Sequence, residues 1–160
     1  PDPCFIFETR NRRPPLDCVN ALLSFAYRLL ANDCANALES VGLDPYVGMM
    51  HTDRSGRKSL ALDLMEELRP SFADRFVLSG INNRSFQSNM FAKTDSGAVL
   101  LTDDGRRSFF KLWKSRRDEN LAHPFLKEKI QWGLVPYVQA LLLARYIRGD
   151  IDEYPPFLWK

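Results

Sequence analysis

No stretch of this 160-residue chain approaches the roughly 20 consecutive apolar residues that a membrane-spanning helix needs, and no signal-peptide pattern opens it. No membrane partner is therefore expected. Cysteine is scarce: Cys4, Cys18 and Cys34 make an odd count with no C-x-x-C pair. If Cys18 and Cys34 share one helix, about 24 Å of rise separates them and they cannot pair within it. Three unpaired, small core or surface residues in a reducing, cytoplasmic compartment are the expectation. There is no Walker-type loop, no G-x-G-x-x-G and no G-x-S-x-G elbow, so nucleotide binding by those modes and elbow-type hydrolysis lack support. Histidine is nearly absent. His123 precedes Pro124 with no positional link to a nucleophile, which leaves His51 for chemistry. Net charge is only +2, so any nucleic-acid-binding surface has to be local.

What is present is an ordinary globular composition, 45% hydrophobic and 26% charged, long enough to bury one core without staples. Residues 1–160 read as a single, mostly helical domain with one short β-hairpin. An extended lead-in stops at Pro14–Pro15. A long helix follows, N-capped by Asp17 and ended by Gly42 at C′. A second helix starts near Ser59 and is kinked or broken at Pro70. The turn Thr94–Asp95–Ser96–Gly97 predicts the hairpin. Thr102 or Asp103 caps a third helix to about Asn120, and a last helix spans roughly 134–148 before an irregular tail. The chain starts without methionine and looks like a piece of a longer protein.

The stretch with the most chemistry is HTDRSGRKSLALDLMEELR, His51 to Arg69. On a helix, Asp63 lies on one face with Glu66 or Glu67, their Cβ atoms roughly 5–6 Å apart. Two carboxylates and an imidazole suit a divalent cation, with imidazole tilting the set toward Mn2+ over Mg2+. Arg54, Arg57 and Lys58 would attract a phosphate beside it. Spacing alone favours a plainer reading, a solvated acidic face beside a core histidine, and it does not choose between the two glutamates. Other basic clusters are Arg10, Arg12 and Arg13, and a stripe on the third helix, Arg107, Lys111 and Lys114. Such a stripe can follow a phosphate backbone or simply be a solvated face.

Three motifs in order, RNRRPPLDCVNALLSFAYRLL, GLDPYVGMMHTDRSGRKSLALDLMEELRP and GDIDEYPPFLWK, resemble the C-terminal domain of the CRISPR-associated spacer-integration endonuclease, often called Cas-one, in its type I-C-like branch. The resemblance covers essentially the whole chain. It implies a bacterial, cytoplasmic, metal-dependent DNA endonuclease and integrase. Such an enzyme joins captured DNA to the CRISPR repeat by 3′-hydroxyl transesterification, as a homodimer assembled with a small second adaptation protein, Cas-two. It also implies His51, Asp63 and Glu66 as catalytic metal ligands for Mn2+ or Mg2+, Arg69 as a phosphate contact beside Arg54, Arg57 and Lys58, and Asn20 as a structural support on the first helix. The family's fourth ligand, a glutamate upstream of the RRPP motif, and its N-terminal β domain are not within these residues. Residues 1–160 alone are therefore expected to bind metal weakly and cleave little. The alternative is a non-catalytic DNA-binding or scaffold domain of the adaptation complex.

Overall fold

The computed structural model describes residues 2–47 and 59–159. After a single 3-10 turn at Pro3–Phe5, the lead-in is irregular and extended up to the first helix, α1 (Cys18–Ser40). Asp17 caps α1 from an extended backbone, its carboxylate accepting from the Asn20 amide at 2.7 Å. The far end closes in a Schellman motif. Leu43 N–H donates to the Leu38 carbonyl at 2.9 Å and Gly42 N–H to that of Glu39 at 3.1 Å, with Gly42 at φ +82°, a conformation open to glycine at little cost.

Helix α1 is the central element, burying Leu22, Ala26, Leu30, Cys34 and Leu38 completely. Helices α2 (Ser59–Leu68) and α5 (Val135–Ile147) pack on it. Pro70 has no N–H to return to the Glu66 carbonyl. The chain responds with one widened, π-helical turn, Arg69–Asp74, and runs on into α3 (Arg75–Asn82). Phe72, Ala73 and Val77 stay fully buried through this turn, so the apolar face survives the proline.

The expected hairpin is β1 (Phe91–Lys93) against β2 (Val99–Leu101), antiparallel, with Phe91 opposite Leu101. Thr102 then caps α4 (Asp103–Asp118) through the Gly105 amide at 3.0 Å. A second hairpin corrects the expectation of only one. The helix stops at Asp118, and β3 (Asn120–Ala122) pairs with β4 (Lys129–Gln131). His123 holds that connection, its Nδ1 accepting from the Phe125 and Leu126 amides, both at 3.1 Å. Three-residue strands are too short to show an alternation, and this local capping stands in for a glycine-type turn signal.

Aromatic rings fill the space between α3, α4 and the tail: Phe72, Phe76, Phe109, Trp113 and Trp132 meet at centroid distances of 4.9 to 6.0 Å. The cysteine expectation is overturned for two residues. Cys4 and Cys18 form a disulfide across a Cα separation of 5.4 Å, stapling the lead-in to the start of α1, while Cys34 is free and buried. Pairing along one helix is excluded, but the lead-in folds back and brings Cys4 to the first residue of α1. Among the described residues no helix is long and apolar enough to cross a membrane.

Candidate functional site

Helix α2 is amphipathic, with Leu60, Ala61, Leu64, Met65 and Leu68 turned to the core. The spacing of those apolar residues fixes where its acids go. Asp63 is 7% exposed, sunk beside the core. Glu66, one turn later, is half-exposed and pairs with Arg69 Nη1 at 2.9 Å. Asp63 and Glu66 line one cavity of about 400 Å³, walled by Leu60, Leu64, Leu143 and Pro156. Glu67 reaches the same cavity, but its carboxylate is engaged. It accepts from Gln139 Nε2 at 2.8 Å, from Tyr154 Oη at 2.7 Å and from the Phe157 amide at 2.6 Å.

On its other side Glu66 opens onto a second cavity, about 570 Å³, between the lead-in, α1 and α2. Its walls carry Arg10, Arg12, Arg28 and Arg69 around Tyr27. The Arg10 and Arg69 guanidinium carbons lie 5.4 and 5.7 Å from the Tyr27 ring centroid, within cation–π range. Burial, and then the hydrogen bond to Asp74, push the Tyr27 phenol well above its ordinary value, so it stays protonated and donates to that carboxylate. Burial also lowers Arg10 from the usual guanidinium range. Arg12 and Arg28 are exposed. The cleft therefore holds four cations against Glu66.

Asn20 is fully buried and explains why Arg10 sits where it does. Its Oδ1 accepts from Arg10 Nη1 at 2.6 Å and from the Asn11 amide at 3.0 Å, while its Nδ2 donates to Thr9 O at 2.9 Å and Asp17 Oδ2 at 2.7 Å. One amide side chain thus ties the RNRRPP segment to α1.

His51, Arg54, Arg57 and Lys58 lie outside the described residues. Among the described residues no group of three His, Cys, Asp or Glu side chains is placed to hold an ion. Asp63 and Glu66, one turn apart and opening on one cavity, are a hard oxygen pair of the kind that Mn2+ and Mg2+ take. The expected stripe on α4 belongs to a solvated face: Arg107 pairs with Asp104 at 2.8 Å and Lys114 with Asp118 at 3.1 Å, all strongly exposed.

The family model described as CRISPR associated protein Cas1 matches residues 1–115, more than half of the chain. The chain belongs to the Cas1 family. A CRISPR-associated endonuclease Cas1 of Rhodospirillum rubrum is 58% identical over 160 residues, all of this chain and 46% of that protein. Among solved structures, a casposase bound to its integration product superposes with a TM-score of 0.85 at 27% identity, over 96% of this chain and 43% of that one. A partial Cas6-RT-Cas1–Cas2 complex gives 0.76 at 26% identity, over 97% of this chain and 46% of that one. The chain thus spans under half the length of these Cas1 relatives. Within this Cas1 chain, the arginine cleft is what motif spacing missed. In the sequence Arg10 and Arg12 form only a local charge cluster, and Arg28 belongs to no cluster. The signal was the polar row Asn20, Ser24, Tyr27, Arg28 and Asn32, which recurs at helical spacing on the otherwise apolar α1.

Proposed function

We propose that this chain is the catalytic helical domain of a metal-dependent DNA endonuclease and integrase, cleaving phosphodiesters and joining DNA 3′-ends to a CRISPR repeat by transesterification. The observation that carries it is the position of Glu66. Among the described residues it is the one side chain shared between the cavity under the tail, where it accompanies Asp63, and the arginine cleft, where it meets Arg69. A phosphodiester lying along the cleft would be neutralised by the arginines and would end at the carboxylates, the juxtaposition that phosphoryl transfer requires.

His51, Asp63 and Glu66 would hold Mn2+ or Mg2+, which when bound polarises a phosphoryl oxygen and stabilises the attacking and leaving oxygens. Arg69, held by Glu66 and within reach of Asp74 at 4.0 Å, presents its guanidinium at the junction. Arg54, Arg57 and Lys58, outside the described residues, would supply further phosphate contacts. Asn20 acts one step back, by fixing Arg10. The relatives support the reading and its partners: an endonuclease by name, a casposase on an integration product, and a complex with Cas2. DNA as prespacer and repeat, a Cas2-type second subunit and a homodimer of the full-length protein are the partners we assign, in the bacterial cytoplasm. Residues 1–160 alone are expected to bind the ion weakly and cleave little.

The test is made in the full-length protein. His51→Ala, Asp63→Ala and Glu66→Ala should each abolish Mn2+-dependent strand joining, by at least 100-fold, while DNA binding in a filter or gel assay stays within about threefold. Joining that survives all three substitutions with DNA binding intact would leave a non-catalytic scaffold as the answer.

A further inference from the structure

The closing GDIDEYPPFLWK segment takes no part in the chemistry above, yet it ends against the helix that carries the acids. We propose that Glu67 is a positioning residue, a latch through which the C-terminal tail sets the orientation of α2 and so the presentation of Asp63 and Glu66; this rests on the metal-site reading of those two acids. Glu67 directly follows Glu66 and lies one turn from Asp63. Both of its oxygens are used. Oε1 accepts from Gln139 Nε2 at 2.8 Å and from the Phe157 amide at 2.6 Å, and Tyr154 Oη lies 2.9 Å from Oε1 and 2.7 Å from Oε2. A carboxylate with this many donors from two other elements has its rotamer fixed, and with it the rotation of the helix that bears it.

The donors are themselves aimed. His123 is 1% exposed, and its Nδ1 accepts two backbone amides, so in the neutral ring the proton sits on Nε2. That proton goes to Gln139 Oε1 at 2.8 Å, which leaves the Gln139 amide nitrogen facing Glu67, Tyr154 Oη and the Pro155 carbonyl. The chain His123, Gln139, Glu67 therefore runs in one direction, from the β3–β4 connection through α5 to α2. Burial and the neighbouring carboxylate both push the Tyr154 phenol above its ordinary value, so it remains a donor throughout the working pH range.

The rest of the tail is anchored by apolar contacts. Phe157 packs 5.5 Å from the His123 ring and 5.9 Å from Trp132, and Trp159 lies 5.0 Å from Trp132 beneath the Arg75 guanidinium at 4.7 Å. Removing the polar latch should therefore loosen α2 without releasing the tail. Tyr154 and Pro156 also line the cavity onto which Asp63 and Glu66 open, so the tail is both the wall of that cavity and the brace of its helix.

The experiment titrates Mn2+ alone into the full-length protein, read by the fall of the free Mn2+ EPR signal, with amide hydrogen exchange as a second measurement. Glu67→Ala and Tyr154→Phe are compared with wild type, and Lys114→Ala, on the solvated face of α4, serves as a control that should not alter Mn2+ uptake. The expected result is at least a tenfold loss of Mn2+ affinity in Glu67→Ala and about threefold in Tyr154→Phe, with exchange in α1 and α4 unchanged. Equal Mn2+ affinity in the folded variants overturns the latch. If Glu67→Ala does not fold, Tyr154→Phe decides, because it keeps the ring and loses only the donor. Full-length wild-type protein that takes up no Mn2+ counts against the metal reading instead. The latch is then judged on exchange at Asp63–Glu67, where Tyr154→Phe must accelerate it about tenfold, and unchanged rates overturn it.

Discussion

Glu66 and Glu67 are neighbours with the same chemistry and different surroundings. The helical phase of α2 carries Glu67 toward α5 and the tail, where donors await it, and leaves Glu66 at the junction of the two cavities. Spacing from Asp63 could not separate them, since i+3 and i+4 share a face; the resemblance to Cas1 pointed to Glu66, and the packing gives Glu67 a different occupation. Asn20 makes the same point for the arginine cleft. It is a buried amide with both ends satisfied by the lead-in and the cap residue. Asn20→Ala should leave Arg10, the Asn11 amide and the Thr9 carbonyl short of partners. A loss of about 2–3 kcal/mol in urea unfolding is expected from the stranded groups, together with weaker DNA binding as Arg10 loses its anchor. Asn20→Asp, which keeps the acceptor for Arg10, should restore most of the DNA affinity and little of the stability, because it loses the donor to Thr9 and sets a second acid against Asp17.

At the level of elements, legibility followed the length of the repeat. The long apolar period of α1, with Asp17 before it and Gly42 after it, was enough to place both ends within a residue or two. The β1–β2 hairpin was readable because its turn residues announce it. Two features were not readable. The π-helical turn at Arg69–Asp74 depends on whether the apolar face past Pro70 can stay in register with the core, and only packing of Phe72 and Ala73 decides that. The β3–β4 hairpin has strands too short for a periodic signal and is held by His123, a residue whose capping role has no motif. The entry to α4 supplies a test of element packing. A Cβ added at Gly105 would lie 2.2 Å from the Met90 carbonyl oxygen, which also receives the Thr102 amide at 2.9 Å. Backbone cannot yield as a side-chain tip can, so Gly105→Ala should destabilise by about 1–3 kcal/mol despite the better helix propensity of alanine. Thermal unfolding should show a lower midpoint, with the Mn2+ and DNA sites unchanged.

Across the whole molecule, charge is nearly balanced, and what matters is where the balance fails. On α4 each of Arg106, Arg107, Lys114 and Arg116 has an acid three or four residues away. The cleft is different: its arginines come from the lead-in, α1 and the turn after α2, and among the described residues Arg12 and Arg28 make no ion pair. Counterion release makes this measurable. Each phosphate contact adds about 0.7–0.9 to the slope of log K against log salt, depending on whether the DNA is single-stranded or duplex. Arg12→Ala and Arg28→Ala should each weaken binding of a short DNA strand at low salt and lower that slope by about 1, with similar effects on unrelated sequences. Arg107→Ala and Lys114→Ala should leave both affinity and slope unchanged, because those cations are already compensated by their own helix. Equal slopes for the two pairs of variants would move the DNA path off the cleft and away from Glu66.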